Sequence, residues 1–182
     1  CRTCLKGAAL GLQRVEKAHL PLLWHWHMQA PLYLFRDIRP AACYDQVRDH
    51  FAQLFNWKLD FVVFRENRAI GACSCRDINW RSRSGDIVVH LTADAAGDAD
   101  FHELMGIMLG YLFFELNLSR AQVQLPLRST AKIRVLRSLG FTCEGRLRRH
   151  SFVNGDYRDE ALFSIFRKDW KGAGEDWSRS EK

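Results

Sequence analysis

"VLRSLGFTCEGRLRRHSFVNGDYRDEALFSIFRKDW" spans Val135–Trp170, and its reading decides the fold. It opens inside a short helix, 130–141, that stops at Gly140, a residue suited to the left-handed backbone found just past a helix end. Two strand patterns follow, 146–153 and 157–167. They are joined around Asn154-Gly155-Asp156, a strong hairpin turn signal.

Upstream of this stretch, 121–127 alternates apolar and polar residues as a strand does, and 100–118 is apolar nearly all round, as in a buried helix. Three further strand patterns cover 58–65, 68–78 and 85–93. Glu66-Asn67 turns between the first two, and 79–84 links the second to the third. Residues 16–30 and 41–57 read as amphipathic helices. Pro21 falls in the first turn of one, and Val47, Phe51 and Leu54 keep helical spacing in the other. Residues 8–14 read as a first strand. The order is strand, two helices, three strands, helix, strand, helix, two strands. It predicts one mixed α/β (α+β) domain over 1–182, without repeats or linker, whose polar tail from about 171 to 182 frays.

Bulk properties agree with a soluble globular chain. Its 182 residues, 47% hydrophobic and 26% charged, are enough for one sizeable core. The formal net charge of +6 favours anionic partners such as phosphorylated cofactors. The excess concentrates between 128 and 150, where seven Lys and Arg face only Glu144. That run lacks the interleaved aromatic platform of a single-strand nucleic-acid binder, so it reads as a solvated face or as contacts to a cofactor phosphate. No run approaches the ~20 apolar residues of a membrane span, and no secretory signal pattern opens the chain. A cytoplasmic protein without a membrane partner is expected. Cys1 and Cys4 have CxxC spacing with no second pair to complete a zinc site. Cys73 and Cys75 would share one strand face, where adjacent sulfurs are poorly placed to bridge. Reduced thiols and no metal are expected.

The combination Leu139-Gly140-Phe141, Glu144-Gly145, Phe152-Val153-Asn154-Gly155 and Tyr157-Arg158-Asp159, with the runs 111–125 and 68–79, resembles the GNAT superfamily of acyl-CoA-dependent N-acetyltransferases. The likeness is to the branch that acetylates ribosomal-protein N-termini and polyamines. It needs no gap from Gly85 to Trp170, and before that it rests on element order. The resemblance implies a mixed, mostly antiparallel central sheet with helices on both faces. It implies direct transfer of an acetyl group from acetyl-CoA to a primary amine, on a small molecule or a peptide, with a base taking the ammonium proton and an acid protonating the leaving thiolate. Val89, Leu91 and Ala93 would hold the pantetheine arm. Backbone N–H groups around Gly97, Asp98 and Ala99 would face the pyrophosphate at a helix N-terminus. Ser129 stands where the family has an asparagine that touches the cofactor, and Arg134 is a candidate for its phosphates. Asp86 is a candidate base at a position where relatives carry Glu, or else a strand-edge acid paired with Arg81 or Arg83. His90 is a second candidate, or else a core histidine. Trp26 and Arg36 lie in the region that borders the acceptor in relatives. His25 and His27, two apart on a helix, diverge by about 200° and do not share a metal. The reading leaves room for a homodimer.

Two departures from the family pattern bear on activity. Its pyrophosphate loop, Gln/Arg-x-x-Gly-x-Gly/Ala, falls on Ala96-Gly97-Asp98-Ala99-Asp100-Phe101, which is short of glycine and rich in acid. Asp100 and Glu103 also resemble a capping box that would occupy the helix N–H groups itself. The tyrosine that many relatives use as acid is replaced by Leu136. An alternative therefore stands beside the enzyme: a domain of this fold that has lost acetyl-CoA and serves as a binding or assembly module.

Overall fold

The computed structural model describes residues 5–29, 43–46, 48–49, 59–92, 97–153 and 155–172. Among the described residues there are eight strands: β1 (Leu5–Lys6), β2 (Leu10–Arg14), β3 (Leu59–Arg65), β4 (Arg68–Asn79), β5 (Ser84–Leu91), β6 (Arg120–Pro126), β7 (Thr142–Val153) and β8 (Asp156–Phe166). They form one sheet in the order β1-β2-β3-β4-β5-β6-β8-β7. Every neighbouring pair is antiparallel except β5 and β6, which run parallel. The longer α-helices among the described residues are α1 (Leu20–Gln29), α2 (Asp98–Gly110) and α3 (Thr130–Ser138).

Strand alternation explains how one sheet serves two cores. Phe61, Val63, Cys73, Cys75, Ile87 and Leu91 point to the face where α2 and α3 bury Leu104, Met105, Met108 and Leu136. Val62, Ala72 and Val88 point to the other face, where α1 buries Leu20, Leu23 and Trp26. The sheet is thus covered by helices on both faces, as the sequence resemblance implies. Burial pushes the Cys75 thiol up to about 12 and raises Cys73 as well, which leaves both inert as nucleophiles.

The boundaries differ from expectation in instructive places. The helix expected over 100–118 begins two residues earlier and stops being α-helical at Gly110, where a π-helical turn, Tyr111–Glu115, takes over. The wider turn lets adjacent Leu112 and Phe113 both bury, while Phe113 and Phe114 each reach Trp170 (ring centroids 5.7 and 5.9 Å). β7 starts at Thr142 rather than 146, because irregular pairing at Cys143/Gly145 and Leu147/Ser151 breaks the alternation by which a strand is recognised. A two-residue β1 pairs with β2 and was not expected. Of the expected helix 41–57, residues 44–46 and 48–49 have helical backbone. Val47, Phe51 and Leu54 lie outside the described residues, as do residues 173–182 of the tail. No described helix is long and apolar enough to cross a membrane.

Gly140 performs its expected task. Its φ of +97° lets its own N–H reach the Arg137 carbonyl while the Phe141 N–H reaches that of Leu136, the double bond of a Schellman cap. The chain then reverses into β7, and Glu144 there takes two hydrogen bonds from the Arg120 guanidinium (2.8 and 2.6 Å) and one from the Ser164 hydroxyl (2.6 Å). Hydrogen bonds from Arg120 and then Ser164 lower the Glu144 carboxyl from 4.5 to about 2. A depressed folded value means stability that is present above pH ~4.5 and lost as pH falls through ~2. Because the group is about a third exposed, screening reduces the contribution to about 1 kcal/mol. Glu144→Gln is therefore expected to destabilise by about that amount at neutral pH, with the deficit shrinking toward pH 2. Urea unfolding at a series of pH values measures it, and a pH-independent difference would refute it.

Candidate active site

The one parallel pair is short. β5 and β6 are in register only over Ser84↔Arg120, Gly85↔Ala121 and Asp86↔Gln122. Beyond that point the strands diverge, and the wedge between them holds a cavity of about 240 Å³. β5 stays paired with β4 through Leu91, so the open side of the wedge is its β6-facing edge. An extended ligand arm fits such an edge, since backbone N–H and C=O groups there need partners.

Asp86 sits at the vertex. Gln122 Nε2 donates to its Oδ1 at 2.7 Å, and Arg76 is its register partner on β4, an opposite-charge pairing across the strands. Gln122 and Arg76, rather than Arg81 or Arg83, are thus its neighbours, while Arg83 donates to Asn117. Toward the wide end the cavity is lined by Val89, Ser129, Arg128 and Lys132, with buried Phe101 also in its wall. Ser129 starts α3 without a side-chain capping bond, so its hydroxyl is not committed to the helix. Lys132 is half-buried. Its Nζ lies 5.6 Å from the Phe101 ring centroid, and burial lowers its pKa.

His90 shares Asp86's side of β5 but does not line this cavity; its ring lies 6.2 Å from that of Trp26. Burial, with Lys132 adding to it, pushes the imidazole down to about 4, so it stays neutral at physiological pH. Trp26 itself is buried beneath the sheet and likewise does not line the cavity. His25 is exposed and His27 buried, the divergence expected for i, i+2 on a helix. Leu91 is buried in the core and does not line the cavity. Ala93 and Arg36 lie outside the described residues.

The capping box expected at α2 does not form. The N-cap is Gly97, which supplies no side-chain bond, and the helix begins at Asp98. Asp100 is already in the first turn and pairs with Arg65 of β3. Glu103 accepts hydrogen bonds from the Ala9 and Leu10 N–H groups at 2.7 and 2.9 Å, holding the β1–β2 turn. Long-range partners outcompeted the local cap, so the helix does not fill its own N-terminus with these acids. Asp98 remains at the tip, with Arg134 of α3 at 3.8 Å. Phe101 is buried and does not stand in the loop as an obstruction.

Sequence reasoning missed Lys132, Phe101, Gln122 and Arg76. Lys132 sat within the basic run and carried no signal of burial. Arg76 and Gln122 line or border the site only because strand register brings them there, and Phe101, read in the sequence only as part of the loop pattern, because α2 packs it against the cavity.

A sheet splayed after a short parallel contact, antiparallel elsewhere and covered by helices on both faces, is the arrangement that the sequence resemblance implies. Comparison with known proteins agrees: the acetyltransferase (GNAT) domain family matches residues 9–142, and the chain belongs to that family. It is a GNAT N-acetyltransferase, transferring an acetyl group to an amine. An uncharacterised N-acetyltransferase, p20, of Bacillus licheniformis is 24% identical over 90% of this chain and 96% of its own length. The crystal structure of the spermidine N-acetyltransferase of Vibrio cholerae, in complex with CoA and spermine, superposes with a TM-score of 0.81 at 21% identity, covering 90% of this chain and 98% of that one. A dodecameric structure of the Vibrio cholerae enzyme superposes with a TM-score of 0.79 at 22% identity, over 89% and 96% of the two chains.

Proposed function

We propose that the wedge between β5 and β6 binds acetyl-CoA and that a primary amine enters toward Asp86. The observation that carries this reading is the polarity of the cavity: Asp86 at the vertex, Arg128 toward the mouth. A cationic amine is drawn to the first and an anionic cofactor to the second. The cofactor's pantetheine arm lies along the free edge of β5 near Val89 and Leu91, beside Ser129. Its pyrophosphate meets the first turn of α2, where the N–H groups of Gly97, Asp98 and Ala99 and the helix dipole favour an anion. Asp98 opposes it by on the order of 1 kcal/mol at ~4 Å in water, and Arg134 and Arg128 offset that charge. Asp86 receives the ammonium proton, directly or through water. The neutral His90 supports the acceptor side from behind, with Trp26 beneath it.

The buried thiols Cys73 and Cys75 suit a reducing, cytoplasmic setting. Self-association belongs to the same reading, by analogy with the dodecameric relative. Calorimetry is expected to show saturable acetyl-CoA binding that weakens with added salt, and thiol release should follow when a panel of polyamines and N-terminal peptides is supplied. No binding at millimolar cofactor would remove the reading in favour of a non-catalytic module.

A further inference from the structure

The leaving sulfur needs a proton, and the cavity wall offers few groups that can give one. Arg76 and Arg128 hold their protons at any working pH. Gln124 has no acidic proton, and the Ser129 hydroxyl is a far weaker acid than an ammonium. Asp77, Asp86 and Glu160 are acceptors once ionised. Leu136, four residues after Lys132 and on the same helix face, is fully buried and apolar. Lys132 remains. Its ammonium lies over the Phe101 ring, 5.6 Å from the centroid, which holds it at the cavity wall rather than leaving it to sweep through solvent.

Given the acetyl-CoA reading above, we propose that Lys132 is the catalytic acid, its ammonium facing the thioester sulfur. As the acceptor nitrogen bonds to the acyl carbon, the carbon–sulfur bond breaks with its electron pair passing to sulfur. Lys132 Nζ supplies the proton that sulfur takes up. The proton shed by the acceptor nitrogen passes to Asp86 or solvent, and solvent returns Lys132 to the ammonium. Burial lowers the lysine's pKa, which brings it closer to that of a thiol and makes the transfer less uphill. The charged and titratable groups around it are Arg128 before its own helix, Asp86 and the neutral His90 on β5, Arg76 and Asp77 on β4, and Glu160 on β8.

The test reads the sulfur rather than turnover alone. CoA itself is bound, and its thiolate absorbance is titrated on the wild-type protein, Lys132→Met and Lys132→Arg. In the wild type the bound thiol is expected to ionise below its free value near ~8.5. The methionine variant should return it to that value, and the arginine variant, which keeps the charge, should leave it lowered. Turnover should fall in both variants by roughly 10²–10³-fold, because arginine does not release a proton. An identical thiol titration in wild type and Lys132→Met overturns the proposal. So does full activity in Lys132→Arg. A methionine variant that weakens CoA but leaves the phosphate-free fragment pantetheine unaffected also overturns it, by placing Nζ at a phosphate. A wild-type protein that binds no CoA removes the acetyl-CoA reading and this one together, whereas the other outcomes touch Lys132 only.

Discussion

Asp86→Asn is expected to lower kcat/KM for the amine acceptor by roughly 10²–10⁴-fold while leaving acetyl-CoA binding within a few-fold. Asparagine keeps an oxygen that accepts the 2.7 Å hydrogen bond from Gln122, so the vertex of the wedge keeps its shape. What it loses is the negative charge that draws in the ammonium and the site that receives its proton. Steady-state kinetics beside calorimetry separates the two, and melting temperature reports any cost from the facing Arg76. Unchanged turnover would make Asp86 a structural strand acid and return the base to solvent.

Gly71→Ala is the second large effect expected, and it acts through backbone. Gly71 of β4 pairs with Leu91 of β5, and a Cβ added there would lie 2.2 Å from the His90 carbonyl oxygen and 2.8 Å from a Leu91 methyl. Both are far inside van der Waals contact, and a carbonyl in a sheet cannot rotate away as a side chain can. β5 must shift at the stretch that forms one wall of the cavity. Overpacking of this kind costs about 1–3 kcal/mol, and about 2–4 °C in Tm per kcal/mol for a chain of this size. Acetyl-CoA affinity should fall with it. A variant with unchanged melting and affinity would mean that β5 carries slack at this position.

The sequence was most legible where a signal was local. The end of α3 at Gly140 and the turn before Asp156 needed only a glycine at left-handed backbone, and both glycines have positive φ. The acids in the first turns of α2 misled, because Asp100 and Glu103 satisfy a local capping pattern equally well. Only the sheet brings Arg65 to one and the β1–β2 turn to the other.

By itself the sequence determined the class of fold and the family, because periodicity, turn chemistry and motif spacing are carried by neighbours along the chain. The tertiary structure decided the working composition of the site. Gln122 reaches Asp86 from 36 residues away, Lys132 comes to rest over Phe101, and α2 keeps Asp100 and Glu103 off its own N-terminus. Each of these depends on strand register and helix docking. Long-range pairing of that kind leaves no periodic trace in the chain that makes it.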